Sequence, residues 1–190
     1  MTRLFAALLL CALPAAAAER FYQFSIDQDR LAGAPDFSRL NRALTPADRV
    51  FVRGGHFFRL GKDLKPNTAD DQAVRFFGTN LCFGANFPDP ADAGRIAKRH
   101  RRLGVNLVRL HHTDTNPDPE ESRANSFLTQ GPYPSLNPVS IARLRTLLDA
   151  FKAEGIYINL NLHIGYEFRP AIDRVPPIPG ADRLPTQSKP

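Results

Sequence analysis

Two stretches of the chain repeat one another: LGVNLVRLHH, starting at Leu103, and EGIYINLNLHI, starting at Glu154. Setting Gly104 on Gly155 places Val105 on Ile156, Leu107 on Ile158 and His112 on His163, a shift of 51 residues. Each stretch follows a segment with the grammar of a helix. In the first, Asp89 stands as N-cap, Pro90 takes the first helical position, Asp92 lies near the positive end of the helix dipole, and Gly104 is the stop. In the second, Asn137 and Pro138 open the helix, Ile141, Leu144, Leu148 and Phe151 recur at helical spacing, and Gly155 ends it. A further strand is predicted ahead of both, where Val74, Phe76 and Phe77 lead to Gly78 and Asn80. Strand, helix, strand, helix, strand predicts an α/β fold with a parallel sheet and right-handed crossovers. The apolar strands predict burial on both sheet faces.

The remaining segments are read by composition. Residues 1–18 carry Arg3, the apolar run FAALLLCAL, Pro14 and a row of alanines, the order of a secretory signal peptide with removal after Ala18. That run is too short to cross a bilayer, so no stable membrane span is expected and the mature protein is read as secreted or periplasmic. With the leader gone, Cys82 is the one remaining cysteine, which excludes an internal disulfide and a cysteine-rich zinc site; beside Phe83 it reads as core packing. Residues 19–73 read as a polar lead-in and a β-hairpin, RVFVRGGHFFRL, turning at Gly54 and Gly55. Residues 169–190 hold six of the seventeen prolines and read as a Pro-rich loop or tail. The formal charge is +6, densest at KRHRR, Lys98 to Arg102; without interleaved aromatics this reads as a solvated helix face and not a nucleic-acid footprint.

Chemistry is expected where the strands end. In parallel α/β architectures ligands gather at the carboxyl ends of the strands, and Arg109, His111, His112 and His163 fall there. Arginine offers a fixed fork of donors, and neutral histidine offers a donor and an acceptor together. Plainer readings stand beside these: His111 as a half-exposed polar residue, and Arg109 as the partner of an ion pair with Asp114. A metal held by His111, His112 and His163 is disfavoured, because adjacent strand residues point to opposite faces. Asn159 and Asn161 suggest either a hydrogen-bonding cavity or paired core amides. Tyr166, Glu167 and Phe168 suit either a sugar-binding mouth or ordinary loop packing. The loop bearing Asp63, Asn67, Asp70 and Asp71 lacks the spacing of a calcium hand.

The run from FFGTNL through GVNLVRLHHTD to GIYINLNLHIGYEF resembles the opening third of clan A glycoside hydrolases, in particular glycoside hydrolase family 5 and its cellulase-like relatives. The resemblance covers roughly residues 49–168. It rests on the order of an N-terminal hairpin, Gly78 with Asn80 on the first strand, Arg109 at the end of the second and His163 at the end of the third. It implies the first three strands of a (β/α)8 TIM barrel preceded by a β-hairpin, with residues 74–168 as the partial barrel. The implied activity is retaining hydrolysis of an O-glycosidic bond by two carboxylates, with no cofactor and no metal. The implied substrate-binding residues are Asn80, Arg109, His112, His163 and Tyr166, and the implied partner is a carbohydrate. The family's acid/base follows the fourth strand in an Asn-Glu pair, which this sequence lacks, so no catalytic residue is assigned and Glu167 is not placed in that role. A barrel takes ~250 residues, with ~200 as a lower bound. The expectation is therefore a truncated N-terminal fragment of a secreted hydrolase. The alternative is a non-catalytic carbohydrate-binding or cell-envelope protein on a shortened α/β sheet.

Overall fold

The computed structural model describes residues 36–119 and 123–185; the expected leader, 1–18, and the lead-in up to residue 35 lie outside the described residues. The hairpin forms as expected. Strands β1 (Val50–Arg53) and β2 (His56–Arg59) pair antiparallel, with Val50 opposite Arg59 and Arg53 opposite His56. The turn takes φ of 55° at Gly54 and 78° at Gly55, the two positive values that a two-residue type I′ turn demands. A third strand, β3 (Gln72–Ala73), returns beside β2. The Arg53 guanidinium lies 4.0 Å from the centroid of the Phe58 ring and donates to Asp71 at 2.9 Å, tying the loop to the hairpin.

The first parallel strand begins later than the sequence pattern implies. Strand β4 is Gly78–Cys82, whereas Val74 to Phe77 carry no ladder. The reason is a side chain from elsewhere. Asn106 accepts the Phe77 N–H at 2.8 Å and donates to the Arg75 carbonyl at 2.8 Å, taking the backbone groups a ladder would have used. Phe76 meanwhile stands edge-on to both Phe57 and Tyr157, each at 5.3 Å, and so joins the hairpin to the amino end of the sheet.

The two helix–strand units fold alike. Helix α1 (Pro90–Arg102) leads to β5 (Leu107–His111), and helix α2 (Pro138–Ala153) leads to β6 (Tyr157–Leu160). The three strands are parallel, with β5 in the middle. Both helices end in the same Schellman arrangement. The Val105 N–H reaches the His100 carbonyl at 3.0 Å and Gly104 reaches Arg101 at 2.9 Å; Ile156 reaches Phe151 at 2.9 Å and Gly155 reaches Lys152 at 3.3 Å. The left-handed residue is Gly104 (φ 78°) in one and Gly155 (φ 79°) in the other. At the amino ends the two differ. Asn137 caps α2 by accepting the N–H groups of Val139 and Ser140, but Asp89 makes no side-chain cap on α1 and instead pairs with Arg143 of α2 at 2.8 Å.

Both helices pack on one face of the sheet. Ala93 and Ala97 of α1 and Leu144, Leu147 and Phe151 of α2 close over Val108, Leu110 and Ile156, and Phe87 completes this core. Small residues on α1 let it approach closely, while α2 supplies the bulk. The opposite face is open. Asn80, Arg109 and Asn159 are all exposed on it, so the expectation of burial on both faces is not met: the sheet carries one layer of helices, and the central strand β5 alternates in burial accordingly.

Two further expectations change. The basic cluster is solvated only in part: Lys98 is exposed, but Arg101 donates to the Ser38 carbonyl and pairs with Glu154 at 3.0 Å, Arg102 pairs with Asp36 at 3.5 Å, and His100 stands edge-on to Phe151. These groups clasp residues 36–38 and the end of α2 to the end of α1. Residues 169–190 hold more than a loop. Strand β7 (Glu167–Phe168) pairs antiparallel with β8 (Leu184–Pro185), and a single helical turn, α3 (Pro170–Asp173), lies between them. Among the described residues no helix is long and apolar enough to cross a membrane.

Candidate functional site

The strand register sets a polar row across the open face. Asn80, Arg109 and Asn159 are direct partners on β4, β5 and β6, and Cys82 partners His111 two residues further on. Because side chains alternate along a strand, these residues share the face that the helices leave uncovered. Arg109 Nε donates to Asn161 Oδ1 at 2.6 Å, and Asn80 Nδ2 lies 2.9 Å from Cys82 Sγ. Cys82, expected in the core, is half-buried beside these amides.

Where β4 and β5 end, the backbone turns left-handed at the next residue in both: φ is 54° at Phe83 and 56° at His112. Since Cys82 and His111 are register partners, these two turns are neighbours. The Phe83 and His112 rings stack at 4.6 Å with only 12° between their planes, and His112 Nδ1 sits 3.0 Å from Thr115 Oγ1. The same turn brings His112 beside His111, ring centroids 4.1 Å apart, instead of to the opposite face as strand alternation implies. Burial lowers the His111 pKa below its ordinary value, and the neighbouring His112 and Arg109 charges add to this against a smaller opposing pull from Asp114. Among the described residues no group of three or more His, Cys, Asp or Glu side chains is placed to hold a metal.

Asp114, two residues beyond His112, is fully buried and holds the loop after β6. Its carboxylate accepts the N–H groups of Ile164 at 2.8 Å, Gly165 at 3.1 Å and Tyr166 at 3.3 Å. The ion pair with Arg109 that the sequence suggested is therefore not what Asp114 makes. Gly165 is needed at this contact, because a Cβ there would stand 1.9 Å from Thr115 Oγ1. The longer loop after β5 has its own buried anchor in Asp118, which accepts from the backbone of Asn125 and Ser126 and from the Asn137 side chain. Asn137 thus caps α2 and fixes the loop that precedes it.

Between these loops lies an open cleft of about 760 Å³ at the carboxyl ends of the strands, with Phe83, His112, Gln130, Tyr166, Glu167 and Arg169 on its walls. Tyr166 is 2% exposed, and its hydroxyl donates to Asp173 at 2.9 Å. Burial raises the pKa of this hydroxyl, and the bond to Asp173 raises it further. Burial by itself raises the Asp173 carboxyl too. Arg169, through its guanidinium and backbone N–H, and the Tyr133 N–H outweigh that and hold Asp173 well below the usual carboxylate range. Arg169 also donates to the carbonyls of Gln130 and Gly131, so it rivets the loop after β6 to the loop after β5.

The five expected site residues therefore fall in three places. His112 and Tyr166 line the cleft, whereas Asn80 and Arg109 stand on the open sheet face. His163 is exposed in the bend that follows β6 and is not among the cleft's lining residues. Sequence reasoning missed Phe83 as a lining residue, Asn161 as the partner of Arg109, and Asp114 and Arg169 as the groups that shape the rim. The paired ends NLCF and RLHH, each with an aromatic or imidazole ring directly after the strand, were the available signal for Phe83. The sequence matches no protein-family model, no curated protein and no solved structure.

Proposed function

We propose that this chain is the substrate-binding N-terminal portion of an exported glycoside hydrolase, with the three parallel strands as the first three of a (β/α)8 barrel. The observation that carries this reading is the row of Asn80, Arg109 and Asn159 across the open face, continuous in register with the strand ends that rim the cleft. Amides and a guanidinium across the exposed face of a parallel sheet offer the donors and acceptors that sugar hydroxyls require. The sequence resemblance supplies the reaction class, retaining hydrolysis by two carboxylates. Neither carboxylate is assigned to a residue of this chain. On the same reading residues 1–18 are an export leader, and the ligand is a carbohydrate and not a nucleic acid.

A second reading is favoured by one observation. Among the described residues lining the cleft Glu167 is the one carboxylate, and it lies 3.4 Å from Arg183. This suits a non-catalytic carbohydrate-binding protein. Calorimetric titration of the 190-residue protein with neutral β-linked oligosaccharides, run beside an assay for new reducing ends, tests both. Saturable binding that Arg109→Ala weakens about tenfold or more supports a sugar site; absence of binding overturns both readings, and release of reducing ends by this chain overturns the second.

A further inference from the structure

At the amino ends of the strands, away from the cleft, lies a hollow of about 190 Å³ walled by Arg42, Asp48, Arg59, Arg75, Asn106 and Tyr157. Pockets for drug-sized ligands run from ~300 to ~1,000 Å³, so this one suits an ion or a single functional group. Its wall is cationic. Arg42 grips Asp48 with two bonds, at 2.8 and 2.7 Å, and Arg59 reaches the same carboxylate at 3.3 Å, so two guanidinium groups share one negative charge. Arg75 adds a third guanidinium that has no partner of opposite sign among the described residues.

The donors there are not used up. Arg42 also donates to the Ala43 carbonyl, and Arg59 donates to the Gln72 side chain through Nε and a terminal nitrogen, yet a guanidinium carries more N–H groups than these partners take. Tyr157 supplies a further donor. Its hydroxyl is buried and has no hydrogen-bond partner among the described residues, although Asp48, Arg59 and Arg42 all act on it. Burial raises the pKa of this hydroxyl, and the Asp48 charge adds to this against the opposing pull of Arg59 and Arg42, so at neutral pH it keeps a proton to donate. Phe76, edge-on to the Tyr157 ring at 5.3 Å, holds that ring in place. A buried hydroxyl with nothing to bond is a cost that a ligand oxygen removes.

We propose that this hollow binds a tetrahedral oxyanion, phosphate or sulfate, held by Arg42, Arg59 and the Tyr157 hydroxyl, with Arg75 at its wall. The donors come from three parts of the chain: the segment before β1, the hairpin and the first residue of β6. A tetrahedral group has an oxygen for each of them, whereas a carboxylate offers two oxygens in one plane, and the arginine fork matches phosphate geometry. An anion seated there ties together segments far apart in sequence and so stabilises the folded chain. The site lies at the opposite end of the sheet from the cleft and stands whether or not the cleft takes a sugar.

The test is calorimetric titration of the full 190-residue protein with sodium phosphate, sodium sulfate, sodium acetate and glycerol 3-phosphate, at an ionic strength held constant with sodium chloride, beside thermal melting in the same salts. Phosphate and sulfate should bind saturably and raise the melting temperature above its value in chloride. Tyr157→Phe removes one donor and no packing, so it should melt no lower than the parent in chloride and bind phosphate about tenfold more weakly. Arg75→Ala should weaken phosphate binding several-fold. Binding of glycerol 3-phosphate together with phosphate supports the site as a seat for the phosphate group of a larger molecule, and binding of phosphate alone supports it as a seat for the free ion. No saturable heat, with equal melting in phosphate and chloride, would overturn the site. Phosphate binding untouched by Tyr157→Phe would place the anion elsewhere and overturn the assignment, as would a fall in the chloride melting temperature of that variant, because the hydroxyl would then have a partner within the protein. Acetate binding as tight as phosphate would overturn the tetrahedral selectivity.

Discussion

The carboxylate of Asp114 accepts the N–H of Ile164 at 2.8 Å, across 50 residues of sequence. With Gly165 and Tyr166 it collects three successive backbone donors, so the loop after β6 takes its shape from a residue at the end of β5. Charge-assisted bonds of this kind contribute roughly 1.5–3 kcal/mol each and do not add in full. Asp114→Ala is expected to cost about 3 kcal/mol in urea denaturation and to speed amide exchange at Ile164, Gly165 and Tyr166 above all other positions. Asp114→Asn, which keeps one acceptor oxygen, should lose less. Unchanged exchange at those three amides would show that the loop holds itself.

Gly155 and Gly54 provide a matched test of close approach. Both have positive φ, 79° and 55°, but a Cβ on Gly155 would stand 2.2 Å from the Arg42 carbonyl oxygen, while one on Gly54 meets nothing within 4 Å. Gly54→Ala should cost about 1 kcal/mol, the backbone strain alone. Gly155→Ala adds a clash with main chain that cannot swing aside, and its urea midpoint should fall markedly further. Equal losses would mean that residues near Arg42 give way freely.

Phe151 is fully buried between the helices and the sheet and stands edge-on to His100. Phe151→Ala should lower stability by about 3–5 kcal/mol, because the cavity is walled by both helices and cannot collapse. Phe151→Leu should lose less, and thermal melting of the two variants checks the order.

Stability should also fall in acid, for a reason located at Asp48. Burial raises its pKa, but the Arg42 fork and the N–H and hydroxyl of Thr45 outweigh burial and hold it at about 2. A carboxylate depressed in the folded state stabilises fully above its unfolded pKa, near 4, and its contribution disappears as pH falls from there toward 2. The loss is at most about 2 kcal/mol, since Arg42 is itself exposed to solvent. Asp173, also depressed, extends the loss to lower pH. Urea midpoints between pH 5 and 2 should fall steeply for the parent protein and less steeply for Asp48→Asn, which starts from a lower value; parallel slopes would place the acid sensitivity elsewhere.

What the sequence made legible were the features that local chemistry decides. Gly54 and Gly55 marked the hairpin, and Gly104 and Gly155 marked both helix stops, because a positive φ is a demand that one residue answers. The strand, helix, strand order followed from period alone. What it concealed were side chains that reach across the fold. Asn106 intercepts the backbone at Arg75 and Phe77 and so delays β4 to Gly78, although Val74 to Phe77 read as strand. The run Lys98 to Arg102 looked like a solvated face until Ser38, Asp36 and Glu154 were seen to meet it. At the site the same division holds. His112 was visible at a strand end, but Arg109, expected there too, stands in the middle of β5, and the left-handed turn that lays His112 on Phe83 depends on the neighbouring strand.

The exposed row of Asn80, Arg109 and Asn159 carries a thermodynamic consequence. A sheet face of leucines would demand an oily cover, but amides and a guanidinium are already content in water. A polar ligand settling there would exchange one set of hydrogen bonds for another of similar strength, so little free energy would come from wetting or drying. Selectivity on such a surface rests on position, and the spacing of three parallel strands, close to 4.8 Å apart, becomes the ruler that sets where its donors and acceptors stand.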